Sequence, residues 1–145
     1  AVQLYDVDML FALLELGVDL TILNAEGYNP LHLAASYGNA VLVEIMCPFI
    51  ENINAPSQPN EFPALSIAAY SGHYDVIKIL LQHRANIDYR DKQGDTPLHN
   101  AIRREDTPKA LELIKLGADV TMKTLLDDRD AFELAKTKRT LHSLI

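Results

Sequence analysis

Thr96-Pro97-Leu98-His99-Asn100-Ala101 decides the fold, because the same pattern returns along the chain every 33 or 34 residues. Related stretches occupy residues 29–34 and 63–68, and a weaker copy occupies residues 130–135. A period of this length is typical of stacked supersecondary units, each of which buries its apolar side against its neighbours. The chain is therefore predicted to be an array of repeats without one central core.

The repeated stretch carries signals for the start of a helix. The hydroxyl of Thr96 can accept a hydrogen bond from a free backbone amide, and Pro97 fixes φ at the first helical position. The Asn-Pro pair at 29–30 provides the same signal, and Asp130 followed by Glu133 predicts a capping box. Each unit is therefore predicted to begin with a helix.

A second helix in each unit is indicated by apolar residues spaced three and four apart, which places them on one helix face. The sets are Met9, Leu10, Leu13 and Leu14; Val41, Leu42, Ile45 and Met46; Val76, Ile77, Leu80 and Leu81; and Ala110, Leu113 and Ile114. Between units, residues 91–94 predict a tight turn at the tip of a projecting finger. The finger at 54–62 is predicted to be irregular, because Glu61 stands where Gly94 stands in the next unit. Pro63 also replaces the capping threonine, so a looser helix start is expected there.

These patterns resemble the ankyrin-repeat family, whose Thr-Pro-Leu-His-x-Ala signature is complete at residues 96–101. A Gly-Ala-Asp-Val type of ending at 117–120, with variants at 17–20, 50–53 and 84–87, extends the resemblance over nearly the whole chain. The resemblance implies an all-α solenoid of stacked helix-turn-helix units with projecting β-turn or hairpin fingers. We expect one domain over residues 1–145, divided into a partial repeat at 1–23, repeats at 24–57, 58–90 and 91–124, and an incomplete repeat at 125–145.

The composition limits the classes of protein to which the chain can belong. Apolar residues make up 48% of the chain, which is ordinary for a soluble protein, and no apolar run reaches the length of about 18 residues needed to span a membrane. Cys47 is the only cysteine, so an intramolecular disulfide is impossible and an intracellular, cytoplasmic location is expected. We interpret its thiol as a packed small apolar group and not as a nucleophile. We expect a monomer that does not insert into membranes.

Charge is divided unevenly along the chain. Residues 1–77 hold nine acidic residues and no lysine or arginine, whereas residues 78–145 hold all thirteen basic residues and eleven acidic ones. One interpretation is a solvated surface that drifts in composition. The other is an acidic half that attracts a basic partner. With a net charge of −7 and no basic cluster in the first half, nucleic-acid binding is not expected.

The sequence contains no known catalytic or phosphate-binding motif, and no histidine and cysteine spacing suited to zinc. His32 and His99 occupy the same repeat position, and the resemblance implies that both are structural residues bonding between neighbouring hairpins. The acidic run at 127–130 is interpreted as turn and capping residues, because the spacing of a calcium-binding loop is missing. We therefore expect no enzyme, no cofactor and no metal, and keep a catalytic role of the repeats as an alternative.

Binding is then the function that the pattern favours. The resemblance implies a concave groove built from the fingers and the exposed side of the first helices. The finger candidates are Glu26, Tyr28, Asn60, Phe62, Lys92 and Asp95, and the first-helix candidates are Ser36, Tyr37, Tyr70, Ser71, Arg103 and Arg104. Tyrosine and arginine concentrate interface energy, which favours the ladder of Tyr37, Tyr70, Arg103 and Arg104. Alternatively, the tyrosines cover a neighbouring helix and the arginines are solvated. Phe49 is expected to be buried.

The leading hypothesis is a non-catalytic scaffold or adaptor that binds a protein or peptide, with a basic partner favoured by the acidic half. The alternative is a targeting or regulatory segment of a larger enzyme, effector or membrane protein. The absence of a first helix from the unit at 1–23 supports this second hypothesis, because it suggests a piece of a longer array. Sequence on either side of the chain would distinguish the two hypotheses.

Overall fold

The structure is a computed structural model that describes residues 4–136, so the ends of the two predicted terminal units lie outside the described residues. The described chain contains eight α-helices and no strand. The helices are α1 (Leu4–Glu15), α2 (Pro30–Tyr37), α3 (Ala40–Met46), α4 (Ala64–Ser71), α5 (Tyr74–Gln82), α6 (Pro97–Arg103), α7 (Thr107–Lys115) and α8 (Ala131–Lys136), with a 3-10 turn at Cys47–Phe49 after α3.

The helices form hairpins that stack side by side. α2 packs on α3, α4 on α5 and α6 on α7, and each hairpin contacts the next one through its first helix, α2 on α4, α4 on α6 and α6 on α8. We call α2, α4, α6 and α8 the inner helices, and α1, α3, α5 and α7 the outer helices. The predicted all-α solenoid of helix-turn-helix units is confirmed.

Two inner helices begin with a reciprocal cap that uses histidine. The side chain of Asn29 accepts a hydrogen bond from the amide of His32 at 2.8 Å, and Thr96 accepts one from the amide of His99 at 3.3 Å. In return, each imidazole Nδ1 accepts from the amide of the cap residue, at 3.0 and 3.2 Å. α4 begins at Ala64 after Pro63 without a side-chain cap, as predicted.

The last inner helix has the capping box that the sequence predicts. Asp130 Oδ1 accepts from the amide of Glu133 at 2.9 Å, and Glu133 Oε2 accepts from the amide of Asp130 at 3.0 Å. Phe132, which occupies the repeat position of fully buried Leu98, is 37% exposed. Phe132 lies on the last described helix, and no described hairpin packs beyond it.

Each finger is a turn closed by a backbone hydrogen bond. The closing pairs are Asn24 with Tyr28, Ser57 with Phe62, Asp91 with Asp95 and Thr124 with Arg129, at N···O distances of 2.8, 2.9, 2.9 and 2.9 Å. The second and fourth fingers are one residue longer than the others. Glu61 keeps the left-handed backbone of the equivalent Gly94, with φ of 59° against 84°. The irregularity predicted for the second finger is therefore an extra residue, which the fourth finger shares.

Neighbouring fingers pack directly on each other. The amide of Gln58 donates to the carbonyl oxygen of Gly27 at 3.0 Å, and the amide of Lys92 donates to that of Asn60 at 3.1 Å. A Cβ atom at Gly27 would lie 2.2 Å from the carbonyl oxygen of Gln58, so only glycine permits this approach. These contacts hold the fingers beside the inner helices.

Paired alanines keep the inner helices close together. Ala34, Ala68, Ala101 and Ala135 are each at most 4% exposed. Together with buried leucines such as Leu31, Leu65 and Leu98, they form a continuous core between hairpins. The side chains of the inner helices that face away from this core form the candidate site.

Candidate functional site

A groove with a volume of about 440 Å³ extends from the fingers across α4 and α6. We call it the inner groove. Its lining residues are Tyr28, Ser36, Asn60, Phe62, Ser66, Ile67, Ala69, Tyr70, Ser71, Pro97, Asn100, Ala101, Arg104 and Lys109. Finger residues stand at the start of the inner helices, and Arg104 and Lys109 stand near their end.

Helical spacing brings these side chains to one surface. On α4, Ser66 and Ile67 precede Tyr70 by four and three residues, which places both on the side of the helix that carries Tyr70. The groove side of α6 carries Asn100, and Arg104 follows four residues later, directly after the end of the helix. The inner groove is therefore formed by the helix faces that the stacking of hairpins leaves free.

A cationic cluster surrounds Tyr70, whose side chain is exposed. The guanidinium of Arg104 lies 4.2 Å from the centre of the Tyr70 ring, and Lys109 Nζ lies 5.6 Å from it. Both distances are in the range of cation–π attraction. Lys109 Nζ also donates to the backbone oxygen of Tyr70 at 2.7 Å and pairs with Asp106 Oδ2 at 3.3 Å. Among the residues that line the inner groove, the charged side chains are Arg104 and Lys109.

The comparison with known families agrees with this architecture. A family model described as ankyrin repeats (3 copies) matches residues 1–91 and again residues 49–124. The chain belongs to the ankyrin-repeat family. Its inner groove is therefore a feature of an ankyrin array, in which fingers and inner helices present residues that the stacking does not use.

Several larger ankyrin proteins are similar to this array. Palmitoyltransferase AKR1 of Lachancea kluyveri is 35% identical over 136 residues, which cover 92% of this chain and 18% of that protein. The RelA-associated inhibitor of Mus musculus is 33% identical over 107 residues, 72% of the chain and 13% of the relative. SMC5-SMC6 complex localization factor protein 1 of Bos taurus is 28% identical over 113 residues, 76% of the chain and 11% of the relative. The ankyrin chain thus spans less than a fifth of the length of these curated relatives.

Seven of the twelve residues proposed from the sequence line the inner groove, namely Tyr28, Ser36, Asn60, Phe62, Tyr70, Ser71 and Arg104. Sequence reasoning missed Ser66, Ile67 and Asn100, although their spacing from Tyr70 and Arg104 on the inner helices was available as a signal. It also missed Lys109. That residue belongs to outer helix α7, and its reach to Tyr70 depends on a tertiary contact between repeats.

Two of the predicted interface residues are engaged inside the ankyrin array. Asp95 was expected at an exposed finger position, but it is 3% exposed. Arg103 Nε donates to Asp95 Oδ2 at 2.8 Å, and Arg103 Nη2 donates to Asp127 Oδ1 at 3.2 Å. The expectation of an open carboxylate at Asp95 is wrong, because Arg103, eight residues later on α6, turns back and neutralises it.

The other predicted residues are spread over the surface. Glu26 and Lys92 are exposed on their fingers, outside the inner groove. Tyr37 is 80% exposed and lines a separate apolar hollow between α1 and α2. Phe49 was expected to be buried but is 42% exposed, because the 3-10 turn after α3 places Cys47 inward and Phe49 outward.

The histidines of the caps are occupied by the fold. Nε2 of His32 donates to the carbonyl oxygen of Ala55 at 2.8 Å, and Nε2 of His99 donates to that of Met122 at 2.9 Å. Burial lowers the pKa of both imidazoles, although these hydrogen bonds oppose the effect. Each carbonyl lies between the outer helix and the next finger, so each histidine ties its inner helix to the segment that leads into the following unit.

Residues 4–136 contain neither a cluster of metal ligands nor a membrane-spanning helix. In that range, no three or more His, Cys, Asp or Glu side chains come together where they could hold a metal ion. None of the helices described there has the length and apolar character required to cross a membrane.

Proposed function

We propose that this ankyrin array is a protein-interaction module whose inner groove binds a protein or peptide partner. The observation that carries the proposal is Tyr70, which is 58% exposed beside an apolar floor that includes Ile67 and Ala101. Aromatic and arginine side chains at the centre of a concave surface are the residues that contribute most to binding energy. Phe62 adds a second aromatic side chain from the finger.

The inner groove also offers polar groups beside its apolar floor. Asn60 and Ser71 are exposed at its two ends, and within residues 4–136 neither side chain hydrogen-bonds to another part of the fold. Apolar surface with a few placed polar groups is the usual composition of a recognition site, because the polar groups fix orientation and the apolar surface supplies energy. The groove therefore presents both apolar and polar side chains for contact with an extended segment of a partner.

We propose a non-catalytic role for the array. Support comes from His32 and His99, whose two ring nitrogens are both engaged with backbone groups, so neither is placed to transfer a proton to a bound molecule. The thiol of Cys47 is buried, which fits a packing role and the intracellular location that we propose.

The acid-rich residues 1–77 support the proposal of a basic partner. None of those acidic residues lines the inner groove, where the charges are positive. We therefore place any contact with a basic partner outside the groove, at exposed acids such as Glu26 and Glu61.

Affinity capture from cell lysate tests the proposed function with a matched pair of variants. Tyr70→Ala removes an exposed tyrosine from the inner groove, and Tyr37→Ala removes one outside it. We expect partners that are lost with Tyr70→Ala and retained with Tyr37→Ala, with both variants folded by circular dichroism. Equal capture by the wild-type chain and both variants would contradict binding through the groove.

A second candidate is that the same array directs or regulates a larger protein. The observation in its favour is that the relatives are at least five times longer than the part of them that the chain matches. The complete coding sequence around this segment tests it. A catalytic or membrane-spanning region in the same reading frame is the expected result, and stop codons directly at both ends would contradict it.

A further inference from the structure

We propose that the end of the inner groove at Tyr70 is a subsite for an acidic side chain, an aspartate or glutamate of an extended peptide segment. Its carboxylate would be bound by Arg104 with help from Lys109. The inference rests on the proposed function and names the chemistry of the partner that the groove selects.

Arg104 is held in place but keeps its hydrogen-bonding capacity. Its guanidinium is stacked at 4.2 Å on the ring of Tyr70, which orients the planar group without using its N–H donors. Within residues 4–136, no ion pair joins Arg104 to a carboxylate. A planar guanidinium with free donors matches a carboxylate in two parallel hydrogen bonds.

The neighbouring arginine shows the contrast. Arg103 is satisfied by Asp95 and Asp127, at 2.8 and 3.2 Å, and it does not line the groove. Two consecutive arginines therefore have different roles in the array. Arg103 closes an internal charge network, whereas Arg104 presents a charge to whatever enters the groove.

Lys109 adds a second positive charge at a fixed position. Its ammonium is tethered to the backbone oxygen of Tyr70 at 2.7 Å and to Asp106 at 3.3 Å, and its side chain is 13% exposed. An ammonium has three donors, so one remains after these two contacts. Because Asp106 neutralises part of this charge, Arg104 supplies the main attraction and Lys109 supports it.

The charge of the rest of the chain makes the subsite selective. The net charge is −7, and residues 1–77 carry no base, so a peptide with many acidic residues is repelled by most of the surface. A single carboxylate at the Tyr70 end, next to an apolar residue over Ile67, gains the local attraction and avoids that repulsion. The expected ligand is therefore a largely apolar or neutral segment with one acidic side chain.

A displayed library of random 12-residue peptides is the probe for this subsite. Selection on the wild-type chain should yield peptides that share one aspartate or glutamate beside an apolar residue. Selection on Arg104→Ala should lose that shared acid, and selection on Lys78→Ala, which removes an exposed lysine of α5 outside the groove, should keep it. In a synthetic selected peptide, replacing the glutamate by glutamine should weaken binding to the wild-type chain about tenfold or more, and change binding to Arg104→Ala little.

The outcomes separate this inference from the proposed function. Peptides that depend on Tyr70 but show no shared acid would overturn the acidic subsite and leave the groove as a binding site. Equal loss of the acid with Arg104→Ala and Lys78→Ala would also overturn it, since the attraction would then be a property of total charge. If no selected peptide is weakened by Tyr70→Ala, both the subsite and the proposed function are wrong.

Discussion

His32 and His99 each join a helix cap to the segment that leads into the next finger. Nδ1 of each ring accepts from the amide of the cap residue, and Nε2 donates to a carbonyl oxygen of that segment. Both bonds require the neutral ring with its proton on Nε2. A proton on Nδ1 would face an amide donor, so protonation opposes the cap.

The array is therefore expected to become less stable as the pH is lowered. Burial lowers the pKa of His32 and His99 in the folded chain, while the pKa in the unfolded chain stays near 6.5. Below about pH 6.5 the unfolded chain binds more protons than the folded one, so the free energy of unfolding decreases. Urea unfolding at pH 7.5, 6.5 and 5.5 should show this decrease, above the range near pH 4 where carboxylates titrate.

Resolved imidazole signals in an NMR titration provide the control for that prediction. Both cap histidines should titrate at a lower pH than a free histidine, because burial lowers their pKa. A free energy of unfolding that stays constant from pH 7.5 to 5.5 would contradict the structural role of the two rings.

The thiol of Cys47 is expected to be unreactive in the folded chain. Burial, and to a smaller extent the charge of Glu44, raise its pKa to about 11. At pH 8 the thiolate that attacks a disulfide reagent is then roughly a hundredfold rarer than in the unfolded chain. Reaction with an aromatic disulfide reagent should be at least roughly a hundredfold slower in buffer than in about 8 M urea, in which the chain is unfolded. Equal rates in both solutions would show that the thiol is accessible.

The environments of some residues could be predicted from the sequence, and those of others could not. The roles of His32 and the burial of Cys47 were predictable because a repeat position determines its own environment. The exposure of Phe49 and the pairing of Asp95 were not, because each depends on a contact outside the repeat pattern. Adjacent arginines look alike in the sequence, and only the ion pairs with Asp95 and Asp127 distinguish Arg103.

At the scale of elements, these two arginines give a matched test. Arg103→Met leaves Asp95 buried without its partner, which costs about 2–3 kcal/mol of unfolding free energy, below the values for fully buried pairs because Arg103 is partly exposed. Arg104→Met removes a stacked surface cation and should cost about 0.5 kcal/mol or less. Chemical denaturation of both variants measures the difference. Equal stability of the two would contradict the internal role of Arg103.

The packing of inner helices gives a second test at this scale. Leu98 is fully buried between α6 and its neighbours, so Leu98→Ala should cost about 2–5 kcal/mol by leaving a cavity. Leu126, 82% exposed on the fourth finger, provides the control, and Leu126→Ala should change stability by about 0.5 kcal/mol or less. Thermal unfolding of the two variants checks the register of the repeats. An unchanged midpoint for Leu98→Ala would reject it.

Elements were more predictable from the sequence than the site. Helix starts at Pro30 and Pro97, and the uncapped start after Pro63, follow from local signals that operate within one turn. The 3-10 turn at Cys47–Phe49 replaces the expected end of the outer helix, since Pro48 cannot donate a helical hydrogen bond. The contribution of Lys109 to the groove requires α7 to approach α4, and no pattern within a repeat encodes that distance.

On the scale of the whole molecule, the array is held together by contacts between nearest neighbours. The amide of Asn86 donates to Asn54 Oδ1 at 2.8 Å, and one repeat later the amide of Asp119 donates to Asp88 Oδ1 at 2.9 Å. These bonds repeat in the segments that run from the outer helices to the next fingers. Stability is then a sum of units and interfaces, so hairpins with two neighbours are more stable than those with one.

Hydrogen exchange should therefore be graded along the array. α4 and α5 lie between two hairpins and α6 lies between α4 and α8, and buried residues of these helices such as Ile77 are fully enclosed. By contrast, α1 leaves Met9 62% and Leu13 45% exposed, so little apolar burial opposes its opening. Mass spectrometry of deuterium uptake should find the slowest exchange in α4 to α6 and the fastest in α1 and α8. A uniform rate over all helices would mean that the array unfolds as one cooperative unit, and that neighbour contacts do not determine local stability. Leu98→Ala should in that case accelerate exchange everywhere, whereas in a graded array the acceleration is largest in α6 and the helices that contact it.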